Sequence, residues 1–152
     1  NQQISALAEL FEPVADEAQK RLLWTPEDAP VMIAGDPAQI GRLLSNLIEN
    51  ALKYSDPKTD ITLSLRTDDS AFAGHAVIRV ANMGPPISDA SARDIFTPFF
   101  RAPNIEESNG YGQTGYGLGL ALCRAIAQRH NGQVDFERRP NQTVFRFNLP
   151  LS

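Results

Sequence analysis

The sequence has a single cysteine, Cys123, among 152 residues. One thiol excludes an intramolecular disulfide and fits a reducing compartment. The two histidines, His75 and His130, are isolated and lack metal-ligand spacing, so each reads as structural or surface. No apolar run approaches the roughly 20 residues that span a bilayer, and no basic-then-apolar leader opens the chain. The net charge of −4 excludes a global basic field for nucleic acid, so any anionic ligand must be held by local positives. There is no G-x-x-x-x-G-K-[ST] phosphate loop, no Ser/His/Asp series and no acid–base carboxylate pair. What remains is 42% hydrophobic and 21% charged, the composition of a globular protein. The length suits one domain over residues 1–152 with a real core. Because it opens at Asn1 already in amphipathic sequence, we expect a fragment of something longer.

The periodicities alternate between helix and strand. Residues 4–22 carry Leu7, Leu10, Phe11, Val14 and Ala18 along one side of a helix, with Pro13 expected to kink it or start its second half. "LLWT" and "VMIAG" read as short strands separated by the turn-rich "PEDAP". Asp36 then caps a second helix with Pro37 at its first position, and Ser55–Asp56–Pro57 closes it. "DITLSLRT" and "HAVIRVAN" alternate with period two and predict an antiparallel hairpin. "GLGLALCRAIAQRHNG" predicts a helix with Leu118, Leu122, Ala125 and Ile126 inward, stopped by Asn131–Gly132. Cys123 and the set Phe96, Phe99, Phe100 read as packing. "QVDFER" and "TVFRFNLP" close the chain as a second hairpin. The expected architecture is α+β: a two-layer sandwich with a mixed sheet of five or six strands, covered on one face by three helices.

Two stretches carry chemistry. In "NLIENALKYS", Asn46, Glu49, Asn50 and Lys53 fall within an arc of roughly 100°, opposite a stripe of Ile40, Leu43, Leu44, Leu47, Ile48 and Ala51. Asn is a middling helix former, so two carboxamides one turn apart are odd on a merely wet face. Their oxygens suit magnesium, Lys53 suits phosphate, and the Tyr54 ring can lie against a base. The second stretch, "GYGQTGYGLGL", lets backbone N–H groups approach a ligand at the start of a helix, an arrangement suited to phosphate. It contains G-x-G-x-x-G, but no strand precedes it, which argues against a dinucleotide fold. Residues 101–116 between these parts show no hydrophobic periodicity, the mark of a functional or mobile loop.

In order along the chain, these pieces resemble the catalytic ATP-binding domain of sensor histidine kinases. The wider superfamily includes DNA gyrase, a class of heat-shock chaperones and the mismatch-repair ATPases. "LLSNLIENALKYS" resembles the N-box, "VANMGPPI" the first glycine box, "DIFTPFFRAP" the phenylalanine box and "GYGLGLALCRAIAQRHNGQV" the second glycine box. "FRFNLP" resembles the usual last strand. The resemblance implies a two-layer fold of the gyrase type that binds ATP and Mg2+, with the metal held by Asn50 and Asn46. It implies nucleotide contacts from Asn46, Asn50, Lys53, Tyr54, Asn82, Gly84, Ile87, Gly115, Tyr116, Gly117, Leu118 and Gly119. Arg101 matches a basic residue that assists phosphoryl transfer, and residues from about 102 to 116 match the lid over the phosphates. The implied partners are a helical-hairpin domain of the same protein bearing the phosphoacceptor histidine, and a response regulator receiver domain. The full-length protein is expected to be a homodimer anchored in the inner membrane, with this domain on the cytoplasmic side.

The sequence departs from the family pattern at three places. The first glycine box normally reads Asp-x-Gly-x-Gly, whereas here Asn82, Gly84 and Pro86 occupy its fixed positions. Asn82 can accept a hydrogen bond from an adenine amino group, without the charge assistance a carboxylate gives. Pro86 removes a backbone donor, and Tyr116 is bulkier than the small residue common there. The expectation is nucleotide binding weaker than the family norm. An alternative is a degenerate regulatory module that keeps the fold without productive catalysis. An ATPase of the gyrase or mismatch-repair type would need a general-base Glu where Asn46 stands.

Overall fold

Arg21–Thr25 (β1), Asp60–Arg66 (β2), His75–Met83 (β3), Gln133–Arg139 (β4) and Gln142–Pro150 (β5) form one sheet in the order β1-β2-β3-β5-β4. The structure is a computed structural model and describes residues 1–68, 70–84, 95–96 and 119–152. β1 runs parallel to β2, and the other neighbouring pairs are antiparallel. The parallel pair requires a long crossover, supplied by the helix Pro37–Tyr54 (α2). Gln2–Glu17 (α1) and Gly119–Arg129 (α3) complete the helical layer. The mixed sheet under three helices matches the expected α+β sandwich, with five strands.

The core lies between the layers. Alternate residues of the strands point to the helices: Ile61, Leu63 and Leu65 from β2, Ala76, Ile78 and Val80 from β3, and Phe145, Phe147 and Leu149 from β5. Phe96 joins this layer, its ring 6.3 Å from that of Phe136 and 6.4 Å from that of Phe145. The opposite sheet face is polar apart from the buried Val77, Ala81 and Val144. There Arg146 pairs with Asp135 and Glu137 and lies 5.2 Å from the Phe72 ring. No helix among the described residues is long and apolar enough to cross a membrane.

α2 follows its sequence closely. Asp36 Oδ1 accepts from the N–H groups of Ala38 (2.9 Å) and Gln39 (3.4 Å), and the whole stripe expected to be inward is buried, with Leu52 added. Four expectations are corrected. α1 ends at Glu17, not residue 22, because Gln19 adopts the left-handed region (φ 60°) and the Lys20 N–H turns back to Ala15 O (2.9 Å). Pro13 lies inside that helix without dividing it. Residues 31–35 form no strand, since the Val31 N–H donates to Asn1 Oδ1 (2.8 Å) and Met32 O accepts from the Ser152 N–H (3.1 Å). Those groups are satisfied without a ladder. In α3 the buried residues are Cys123, Ile126 and Ala127, while Ala125 is exposed and Leu122 half-buried. The inward stripe is rotated about one residue from the expected one because α3 packs on α2 as well as on the sheet.

α3 stops where expected. Asn131 takes φ 60°, and a Cβ on Gly132 would fall 2.0 Å from Asn148 O, so only glycine passes there. Just before it, the His130 Nδ1 is 2.8 Å from Ile126 O and its Nε2 accepts from the Asp36 N–H (3.1 Å). The C-terminal end of α3 is thereby tied to the cap of α2.

Candidate functional site

The polar arc of α2 faces two different surroundings. Glu49 is exposed, whereas Asn46, Asn50, Lys53 and Tyr54 are half-buried. The arc therefore divides into an outward carboxylate and an inward row of two carboxamides, an ammonium and a phenol ring.

At the front of that row α3 begins. A Cβ on Gly119 would lie 4.0 Å from Cγ and Oδ1 of Asn46, so the first residue of α3 meets the Asn46 carboxamide. One turn further on, the Cys123 thiol donates to Leu43 O (3.5 Å). Burial pushes that thiol up to about 12, and the Asn46 carboxamide beside it only partly opposes the shift. The thiol therefore stays protonated. Asn46 Nδ2 is buried and, among the described residues, makes no hydrogen bond of normal geometry, the Cys123 sulfur lying beside its carboxamide. A buried unsatisfied donor costs about 1–3 kcal/mol, and this one lies where α3 starts, beside the positive end of a helix dipole.

At the back of the row α2 meets the end of β3. The Asp56 N–H donates to Met83 O (2.8 Å), and the Gly84 N–H donates to Asn141 O (3.0 Å). A Cβ on Gly84 would stand 2.7 Å from Tyr54 O, closer than real contacts allow, which explains why this position is glycine. Asn82 shares the helix-facing side of β3 with Ala76, Ile78 and Val80, yet it lies at the strand's end and is 4% exposed. Its Nδ2 is 3.6 Å from the same Gly84 Cβ position. The Lys53 ammonium rests 5.1 Å from the centroid of the Tyr54 ring. A buried carboxamide and a Cβ-free backbone thus meet the Tyr54 carbonyl at one end of the row, and the Tyr54 ring has the Lys53 ammonium beside it.

The structure thus brings together Asn46 with Gly119, and Tyr54 with Asn82, Gly84 and Lys53; Asn50 lies between the two groups on α2. Ile87, Arg101, Gly115, Tyr116, Gly117, Leu118 and the lid segment from about 102 to 116 lie outside the described residues. The Cys123 contact with Asn46 and the burial of Lys20 were not foreseen, because spacing on one helix says nothing about what a second element lays against it. For a divalent cation the donors available on α2 are neutral carboxamides. Among the described residues no group of three or more His, Cys, Asp or Glu assembles. That set fits magnesium that keeps waters and takes most of its charge from a bound triphosphate. A hollow of about 430 Å3 lies at the other end of the sheet, lined by Ile4, Val31, Ile40, Leu65 and Ile78 among others. Aliphatic side chains make up most of its lining, with Asn1, Gln2, Gln3 and Asp28 as its polar members.

Comparisons with known proteins agree with this geometry. Residues 35–152 match the family described as histidine kinase-, DNA gyrase B-, and HSP90-like ATPase. The Escherichia coli protein named "Probable sensor protein PcoS" is 32% identical over 147 residues, 97% of this chain. The chain spans only 29% of that relative's length. The nucleotide-free catalytic domain of histidine kinase ThkA superposes with a TM-score of 0.82 at 28% identity, covering 99% of this chain and 91% of that one. ThkA in complex with response regulator protein TrrA gives a TM-score of 0.78 at 26% identity, covering 100% of this chain and 40% of that one. None of these favours the degenerate-module alternative. The family match over most of the chain, and a fold shared end to end with a kinase catalytic domain, make this chain a member of the histidine kinase-, DNA gyrase B- and HSP90-like ATPases, as a catalytic ATP-binding domain of the sensor histidine kinase type.

Proposed function

We propose that the row on α2 is the floor of the ATP pocket, and that the domain delivers the γ-phosphoryl group to a histidine on a separate helical-hairpin domain of the same protein. The observation that carries this reading is the meeting of the Asn46 carboxamide, its Nδ2 unsatisfied among the described residues, with the start of α3. Asn82, Gly84 and Tyr54 form the base end, with Ile87 beyond them in the same box. Lys53 and the backbone from Gly115 to Gly119, with Tyr116 and Leu118, serve the phosphates. Asn50 and Asn46 are the residues that would hold Mg2+, whose charge offsets that of the triphosphate when it is bound.

Transfer of a phosphoryl group passes through a loose transition state with little covalent work for the protein. The bond from the γ-phosphorus to the ADP oxygen breaks as a bond to an imidazole nitrogen forms, and the imidazole gives up its proton. The domain contributes position and charge: α2 fixes the base and the phosphate chain relative to each other, and Arg101 offsets charge on the group in flight. The phosphorylated histidine then serves a response regulator receiver domain, and two copies of the full-length protein form a homodimer. Membrane anchoring belongs to the rest of that protein.

The test is transfer in two parts. The domain is mixed with a separately made hairpin domain of its parent protein and radiolabelled ATP. Label on the hairpin's histidine supports the reading, and ATP binding without transfer to any histidine contradicts it.

A further inference from the structure

Lys20 is the one buried lysine among the described residues, 6% exposed at the junction of α1 and β1. Its neighbours explain the burial. The Lys20 ammonium donates to Leu52 O (2.7 Å) and Ser55 O (3.1 Å), carbonyls of the last turn of α2 and its cap. Helix ends leave such carbonyls unpaired and carry the negative end of the dipole, so a cation there is well placed. The left-handed residue Gln19 turns the chain so that Lys20 arrives under this turn.

The cost is also visible. Desolvation lowers the pKa of Lys20 from its ordinary value, and the charge of Asp56 only partly restores it. An apolar side chain of similar length would avoid that cost but leave the Ser55 carbonyl without this donor. The two effects oppose each other, so stability alone is a weak reason for a lysine at this position. The turn it grips is the one that carries Lys53 and Tyr54, presses Tyr54 O against Gly84 and joins β3 through Asp56.

We propose that Lys20 is a positioning residue for the nucleotide site, its ammonium fixing the last turn of α2 where Asn50, Lys53 and Tyr54 face the nucleotide, a role that rests on the reading of that site given above. Lys20 touches no nucleotide; it acts through the carbonyls of Leu52 and Ser55. It also makes the α1–β1 junction part of the site's support, although that junction contributes no side chain to the pocket.

The experiment compares wild type with Lys20→Met in three readings: the melting temperature, amide hydrogen exchange at Ser55 and Asp56, and the affinity for ADP with Mg2+. The expected result is a melting temperature close to wild type, faster exchange confined to residues 52–56, and ADP binding weaker by about tenfold. A merely structural lysine would lower the melting temperature and leave the affinity of the folded protein unchanged. Affinity within twofold of wild type, where wild type itself binds, overturns the role of Lys20 and leaves the site reading standing. Absence of ADP binding by wild type overturns both. Should Lys20→Met fail to fold, Lys20→Leu, which likewise has no donor, is read by the same criteria.

Discussion

The backbone of Gly84 lies directly against the carbonyl of Tyr54, with a Cβ on Gly84 placed 2.7 Å from that oxygen. The contact joins the end of β3 to the last turn of α2, and neither partner there is a flexible side chain. Gly84→Ala must therefore push β3 and α2 apart. We expect a loss of about 1–3 kcal/mol in stability, the usual range for overpacking, together with weaker ADP binding. Urea denaturation and ADP titration check both.

Asn46 is expected to show opposite effects on stability and on binding. Its Nδ2 is buried and unsatisfied among the described residues, so Asn46→Ala removes such a donor along with some packing against Cys123. The melting temperature without nucleotide should stay level or rise. The Mg2+-dependent part of ADP affinity should fall. A large drop in melting temperature would show that the carboxamide serves the fold instead.

His130 provides a control at the far end of α3, roughly 16 Å along the helix from Gly119. Its two ring nitrogens link Ile126 O to the Asp36 N–H. His130→Ala should cost about 1–2 kcal/mol through the weakened start of α2, and ADP affinity should be unchanged. Loss of affinity in a folded His130→Ala protein would mean that the site depends on the whole α2–α3 contact rather than its front half.

The Cys123 thiol carries a pH signature. Its folded pKa is raised from 9.0 to about 12 by burial. Between those values the unfolded chain loses its proton while the folded chain keeps it, so stability falls as pH rises through the window from 9 to 12. The slope approaches about 1.4 kcal/mol per pH unit. Lys20, with its pKa lowered, runs in the opposite sense, and for that reason the quantity to measure is the stability of wild type minus that of Cys123→Ala. This difference should shrink from pH 8 upward. A difference that stays flat would show that the thiol is not held protonated by burial. The same burial predicts slow alkylation of Cys123 in the folded protein.

The sequence revealed α2 almost completely, because a strong local pattern and its tertiary use coincide there: the Asp36 cap, the apolar stripe and the polar arc all appear where expected. It was less informative where a distant partner decides. Residues 31–35 look like a strand but are claimed by Asn1 and Ser152. α1 looks longer than it is because nothing in "EAQKR" announces a left-handed Gln19. Lys20 reads as an ordinary surface cation until Leu52 and Ser55 are placed over it. For the candidate site, spacing alone was enough to place Asn46, Asn50, Lys53 and Tyr54 in one half-buried row, since one helix carries them. The side chain that flanks Asn46, Cys123, comes from a position 77 residues later, as 123 less 46 shows. Helical periodicity alone places Cys123 inward, without indicating what it touches.

The central claim, that the α2 carboxamides hold a metal-bound nucleotide, is tested most directly by titration calorimetry with ADP, with and without Mg2+, on wild type and Asn50→Ala. The account predicts that wild type binds ADP more tightly with Mg2+, and that Asn50→Ala keeps its fold but loses this dependence. Identical Mg2+-dependent affinities in the two proteins would contradict it.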